Sequence, residues 1–258
     1  MLHIKFCGGR QFSASKSPTS CSCKPLAVIV KKTASNMGTS AGGIIFQKTT
    51  KNIDESIDFV LGNDFEKVSY CDSRKSECVY AGQTNEFLAL INSELSEKMF
   101  AINEVGDDLM RFFDNPEMIF VFEEYDSGAC YGYAIFKNGK LVRKLRASNY
   151  NDIEVEYGIP DEDELEWING TEIKDTDHSI LLRNALNGHE IPIDYKYKAI
   201  LQIVMQKKFG FTCETMDDIF SITGHFSKKT DNLEVQIISP DKSSVENILN
   251  LKKWWKFW

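Results

Sequence analysis

The sequence predicts an α+β fold, a mainly antiparallel sheet with helices packed against it in a single domain. Three observations carry that prediction. Residues 118–125, 130–137 and 140–146 are apolar or alternating runs long enough for strands. Asp126-Ser127-Gly128 and Asn138-Gly139 separate them. Asn-Gly is the preferred two-residue hairpin turn, because both positions tolerate positive φ. Residues 54–61 and 193–209 instead space their apolar side chains at the helical period.

In chain order, residues 42–47 (GGIIFQ) read as a first strand. Residues 54–61 follow as a helix, with Asp54 and Glu55 in the first turn, where the helix dipole favours acids. Strands are expected over 67–70, 78–81 and 87–91, and a helix over 104–113 that Asn115-Pro116 ends. The three-strand meander over 118–146 comes next. In it Tyr131, Tyr133 and Ile135 share one face, and Leu141 and Leu145 lie opposite Lys140 and Lys144. The helix over 193–209 uses Tyr197, Ile200, Leu201, Val204 and Met205, and Gly210 stops it. A short helix over 216–222 and a late strand over 234–238 complete the reading.

Charge divides the chain unevenly. Lys and Arg total 30 against 38 Asp and Glu, a net of −8. Residues 1–53 hold eight bases and no acid, so the rest carries 22 bases against 38 acids, a net of −16. Residues 1–36 are basic and rich in Ser, which fits either an organellar transit peptide or an extension before a folded unit over 37–240. An acidic body is a poor binder of phosphate backbones, so nucleic acid is not an expected partner. No apolar run approaches the roughly 18 residues of a membrane-spanning helix. Seven scattered cysteines without a C-x-x-C spacing read as free thiols in a cytoplasmic protein, with no metal centre.

Residues 150–173 hold nine acids and no base. Asp161, Asp163 and Glu172 stand at positions 1, 3 and 12 of a calcium loop, but Leu165 and Glu166 occupy positions 5 and 6, where an oxygen ligand and Gly are needed. The stretch reads instead as a solvated acidic loop or helix start, with Trp167 and Ile168 docked inward. Asp161, Glu162, Asp163 and Glu164 are the candidate contacts for a basic protein partner, which such a face would steer. The competing arrangement sets these acids against the bases Lys137, Lys140, Arg143, Lys144 and Arg146.

No phosphate-binding glycine loop, nucleophile elbow or dinucleotide fingerprint occurs, and no cofactor is expected. A hydrolase site would have to assemble in space from Tyr125, Asp126, Ser127, Cys130 and a distant His. At the far end, residues 241–258 finish in Lys252-Lys253-Trp254-Trp255-Lys256-Phe257-Trp258. Trp254, Trp255 and Trp258 beside lysines suit a weak membrane-surface contact or a docking helix, or else a last helix packed on the sheet.

Several short motifs over 37–212 resemble an uncharacterised bacterial domain-of-unknown-function family. They are Met37-Gly38-Thr39-Ser40 before a strand, Val79-Tyr80-Ala81-Gly82, and Tyr133-Ala134-Ile135-Phe136 followed by Asn138-Gly139-Lys140-Leu141-Val142-Arg143. The acidic stretch with Trp167 and the Phe209-Gly210-Phe211 step after a helix are similar as well. The resemblance implies no established activity and carries over no site residue. The function expected is a non-enzymatic protein-interaction module, comparable in class to a toxin-neutralising immunity protein. A small hydrolase and a membrane-peripheral protein are the alternatives.

Overall fold

The computed structural model describes residues 40–149, 152–175 and 179–229. All belong to the unit Met37–Trp258, one of the two into which the chain divides. The segment 1–36, the strand expected over 234–238 and the tail with Trp254, Trp255 and Trp258 lie outside the described residues.

Twelve strands, five α-helices and three short 3₁₀ turns follow one another through these residues. Strand β1 (Ser40–Gln47) leads to α1 (Ile53–Leu61), which Asn52 starts by accepting the Glu55 N–H at 2.8 Å. Strands β2 (Phe65–Val68), β3 (Cys78–Gln83) and β4 (Phe87–Ile91) come next. Asn92 then repeats the capping device, accepting the Leu95 N–H at 2.8 Å, and opens α2 (Ser93–Phe100). Helix α3 (Asp107–Phe112) precedes the meander β5 (Met118–Tyr125), β6 (Cys130–Lys137) and β7 (Lys140–Ser148). At its hairpin Asn138 and Gly139 take φ of 50° and 77°, as the turn chemistry requires.

The acid-rich stretch contains more regular structure than a loop. It forms β8 (Asp152–Tyr157), α4 (Glu162–Ile168) and β9 (Thr171–Lys174). Strands β10 (Ile180–Arg183) and β11 (Glu190–Pro192) join β9 in a small sheet of order β11-β10-β9. Helix α5 (Lys196–Phe209) ends at Gly210 in the left-handed conformation. The helix expected over 216–222 is only a 3₁₀ turn, Met216–Asp218, and the chain continues as β12 (Ile222–Lys228).

The main sheet is antiparallel throughout and runs β2-β12-β3-β4-β1-β5-β6-β7-β8. One face carries Phe120, Phe122, Tyr131 and Tyr133, covered by Ile200, Leu201, Val204 and Met205 of α5 and by Trp167 of α4. The other carries Ile44, Phe46, Val121 and Phe136, covered by α1, α2 and α3. Burial on both faces explains why β5 reads as a nearly unbroken apolar run. Each fully buried Phe here contributes roughly 1.5–3 kcal/mol.

The meander departs from the expected alternation at one residue. Phe136 pairs with Leu141, but Ile135 pairs with Arg143, so Val142 is an extra residue in β7. Leu141 therefore joins the α2 side while Leu145 joins the α5 side, and they do not share a face. Lys144, expected on the face opposite Leu141, is buried with it on the α2 side. Among the described residues no helix is long and apolar enough to cross a membrane.

Candidate functional site

Beyond the bulge in β7, three of the strand's four bases go to different partners. Arg143 turns toward α4 and is 2% exposed; Glu164, facing it, is 0% exposed. Its Nε and Nη2 donate to the Glu164 oxygens at 3.0 and 2.7 Å, a two-pronged pair. Nη1 donates to the Tyr157 and Gly158 carbonyls at 3.1 and 3.2 Å, and Nη2 reaches Glu156 at 3.1 Å. One guanidinium thus ties β7, β8 and α4 together. Lys144 instead donates to the Phe100 and Ile102 carbonyls at 2.6 and 3.0 Å, neutralising the negative end of α2. Burial holds its pKa below the usual lysine value. Arg146 sits between Glu123 at 3.3 Å and Glu154 at 3.2 Å.

The four predicted acidic contacts take different roles. Asp161 caps α4 through a reciprocal capping box with Glu164, and accepts from Lys208 Nζ at 2.8 Å. Burial raises the Asp161 pKa, but Lys208 and the Asp163 N–H outweigh it, and the value lies below the ordinary one. Asp163 lies 3.9 and 3.8 Å from the Lys207 and Lys208 ammonium groups. Glu164 is consumed by Arg143. Glu162 is exposed. The expected competing arrangement, acids against bases, is the one present for Glu164, and α5 supplies two bases that the sequence reading did not match to this stretch.

The candidate hydrolase residues gather at the end of β5. Ser127 is exposed in a 3₁₀ turn. Tyr125 and Cys130 face the α2 side beside Ser96, Glu123 and Arg146, a packing so close that a Cβ on Gly42 would collide with the Tyr125 hydroxyl and Ser96 Oγ. Burial pushes the Tyr125 hydroxyl up to about 12 and raises the Cys130 thiol despite Arg146 beside it. Asp126 lies on the α5 side, where Lys198 Nζ reaches both its oxygens at 3.0 Å and Glu124 at 3.2 Å. His225 is five strands from β6, roughly 24 Å at the usual strand spacing of about 4.8 Å. The His189 ring packs 6.3 Å from Trp167. Among the described residues no group of three or more His, Cys, Asp or Glu side chains is arranged to hold a metal.

Strand β8 is the last of the main sheet, and every one of its residues is exposed. Its pairing shifts at Glu154, with Ala147 opposite Ile153 and Arg146 opposite Val155. That bulge splits the apolar residues between the two faces: Ile153 with Glu156 on the α5 side, Val155 and Tyr157 on the other. They are 49%, 41% and 54% exposed. Among the described residues nothing pairs with the outer edge. Beside it a cavity of about 110 Å³ is lined by Leu145, Ile153, Ile168, Tyr197 and Ile200, with Arg143, Glu156 and Lys196 also on its wall. Sequence reasoning passed over this strand. Asp-Ile-Glu-Val-Glu-Tyr has the period-two pattern of one, but its acid content read as a loop.

Compared with protein-family models, curated proteins and solved structures, the chain gives no significant match.

Proposed function

We propose that this chain is a non-enzymatic protein-interaction module that takes a basic β-strand of a partner protein onto the edge of β8. The observation that carries the reading is the composition of that edge: three exposed apolar side chains alternate with Asp152, Glu154 and Glu156, and no base lies in the strand. Strand addition draws affinity from main-chain hydrogen bonds and specificity from alternate side chains. A second copy is the wrong occupant, because pairing β8 with itself sets carboxylate near carboxylate, which opposes association. A strand bearing Lys or Arg has the complementary charge. Glu154 and Glu156 keep 42% and 45% of their side chains exposed despite their arginine partners. The neighbouring cavity is of a size to take one apolar side chain.

This reading keeps the expected basic partner but moves the contact from Asp161–Glu164 to β8. A role in masking a toxin-like target, membership of the bacterial family that the motifs resemble, and a cytoplasmic setting belong to the same proposal. The test is fluorescence anisotropy with a labelled peptide alternating Lys and Val, using the full chain and an Ile153→Lys/Val155→Lys variant. Both replaced side chains are exposed, so the fold is expected to survive. Binding weakened at least about tenfold in the variant supports the reading. Equal affinity, or no binding to the full chain, defeats it.

A further inference from the structure

At the other end of the main sheet, β2, β12 and β3 meet around His225, which pairs with Val68 on one side and Tyr80 on the other. The His225 ring lies between two tyrosines, 5.3 Å from Tyr70 and 4.9 Å from Tyr80. These rings wall an open pocket of about 400 Å³ that also exposes Asp72, Asp217 and Cys71, and no Lys or Arg lines it. Two features point to a ligand. Tyr70 is 73% exposed, its ring tilted by 50° against that of His225. Asp72 is already held by Arg74 at 2.6 Å, which leaves Asp217, beside the Tyr80 hydroxyl, as the carboxylate free of a basic partner.

We propose that this pocket binds a guanidinium group, stacked on the tyrosines and donating to Asp217. A guanidinium matches this wall better than an ammonium. It is planar, it stacks on aromatic faces, it is weakly hydrated, and its fork of N–H donors meets a carboxylate in two places. The group can come from an arginine side chain of another protein or from a free small guanidine. The site stands apart from β8 and does not depend on strand addition there.

The experiment follows the His225 imidazole resonances of the full chain by NMR during titration with methylguanidinium, Nα-acetyl-arginine amide and methylammonium. Saturable shifts with a Kd of about 1 mM or tighter for a guanidinium are expected, at least about tenfold weaker in Asp217→Asn and in Tyr70→Ala. Both side chains are exposed, and unchanged resonances in the β5–β6 core verify that each variant folds. Binding of the arginine amide as tightly as methylguanidinium assigns the pocket to a protein side chain. Binding of methylguanidinium alone assigns it to a free small molecule. Absence of saturable shifts, methylammonium binding as tightly, or variants that bind like the parent would each overturn the proposal.

Discussion

Residues 152–157 and 161–166 lie four positions apart and are both acidic, with three and five carboxylates, yet they are withdrawn from solvent to different extents. The first forms β8 and stays exposed along its whole length, even where Glu154 and Glu156 meet Arg146 and Arg143. The second starts α4 and turns most of its carboxylates inward, onto Arg143, Lys207 and Lys208. Acid density is thus no measure of an acidic surface. Bases distant in sequence decide which carboxylates remain available, because a buried charge survives only when paired.

The comparison can be broken most severely at Glu164. Glu164→Ala leaves the Arg143 guanidinium buried with two carbonyls and the half-exposed Glu156, and is expected to cost about 3–5 kcal/mol in urea unfolding. A loss below about 1 kcal/mol would mean that α4 is held no more tightly than the edge strand. Asp161→Ala removes the cap and the Lys208 contact and is expected to cost about 1 kcal/mol, read as a lower midpoint. The Asp161 pKa is lowered in the folded chain, so its stabilisation is present above its ordinary value and disappears as pH falls through the lowered one. Melts at pH 7 and pH 3 should show the parent and Asp161→Ala converging on acidification.

The centre of the sheet sharpens the rule with the opposite sign. Burial raises the Glu124 pKa more than Lys198 lowers it. Its contribution is therefore present below the ordinary carboxylate pKa and is lost as pH rises through the raised value. Glu124→Gln should remove that decline, so that its stability rises relative to the parent between pH 4 and pH 7, seen in paired urea titrations. A flat difference would place Glu124 in a fully compensated pair. The smallest effect is expected at Glu162→Gln, within about 0.5 kcal/mol, because this side chain is exposed.

Much of the framework was legible where a residue's local chemistry and its tertiary role coincide. The bounds of β4, β5 and β6 followed from apolar runs and turn residues, and the Gly210 stop from the need for positive φ. Helix α2 was missed although its signal was present: Asn92 as a cap, then Leu95, Met99 and Phe100 on one face. The extra residue Val142 was not visible, because a bulge leaves no mark in a pattern of mixed apolar and basic side chains. One misplaced step inverted the assignment of Leu141 and Lys144. Of the proposed contact, the sequence reading named residues 161–164 and passed over the neighbouring strand of residues 152–157. Tyr70, Tyr80, Asp217 and His225 had no common signal at all, since β12 enters between β2 and β3 from far along the chain.

The amino-acid order by itself determined the α+β class, the antiparallel meander, the Gly210 end of α5 and the charge imbalance, because each depends on composition or on spacing within a few residues. Only the tertiary structure decided which acids are spent and which are exposed, which faces Arg143, Lys144 and Arg146 take, and which rings meet around His225. Those outcomes depend on burial and on pairings across long separations, where the free energy of a charge is set by what stands opposite it.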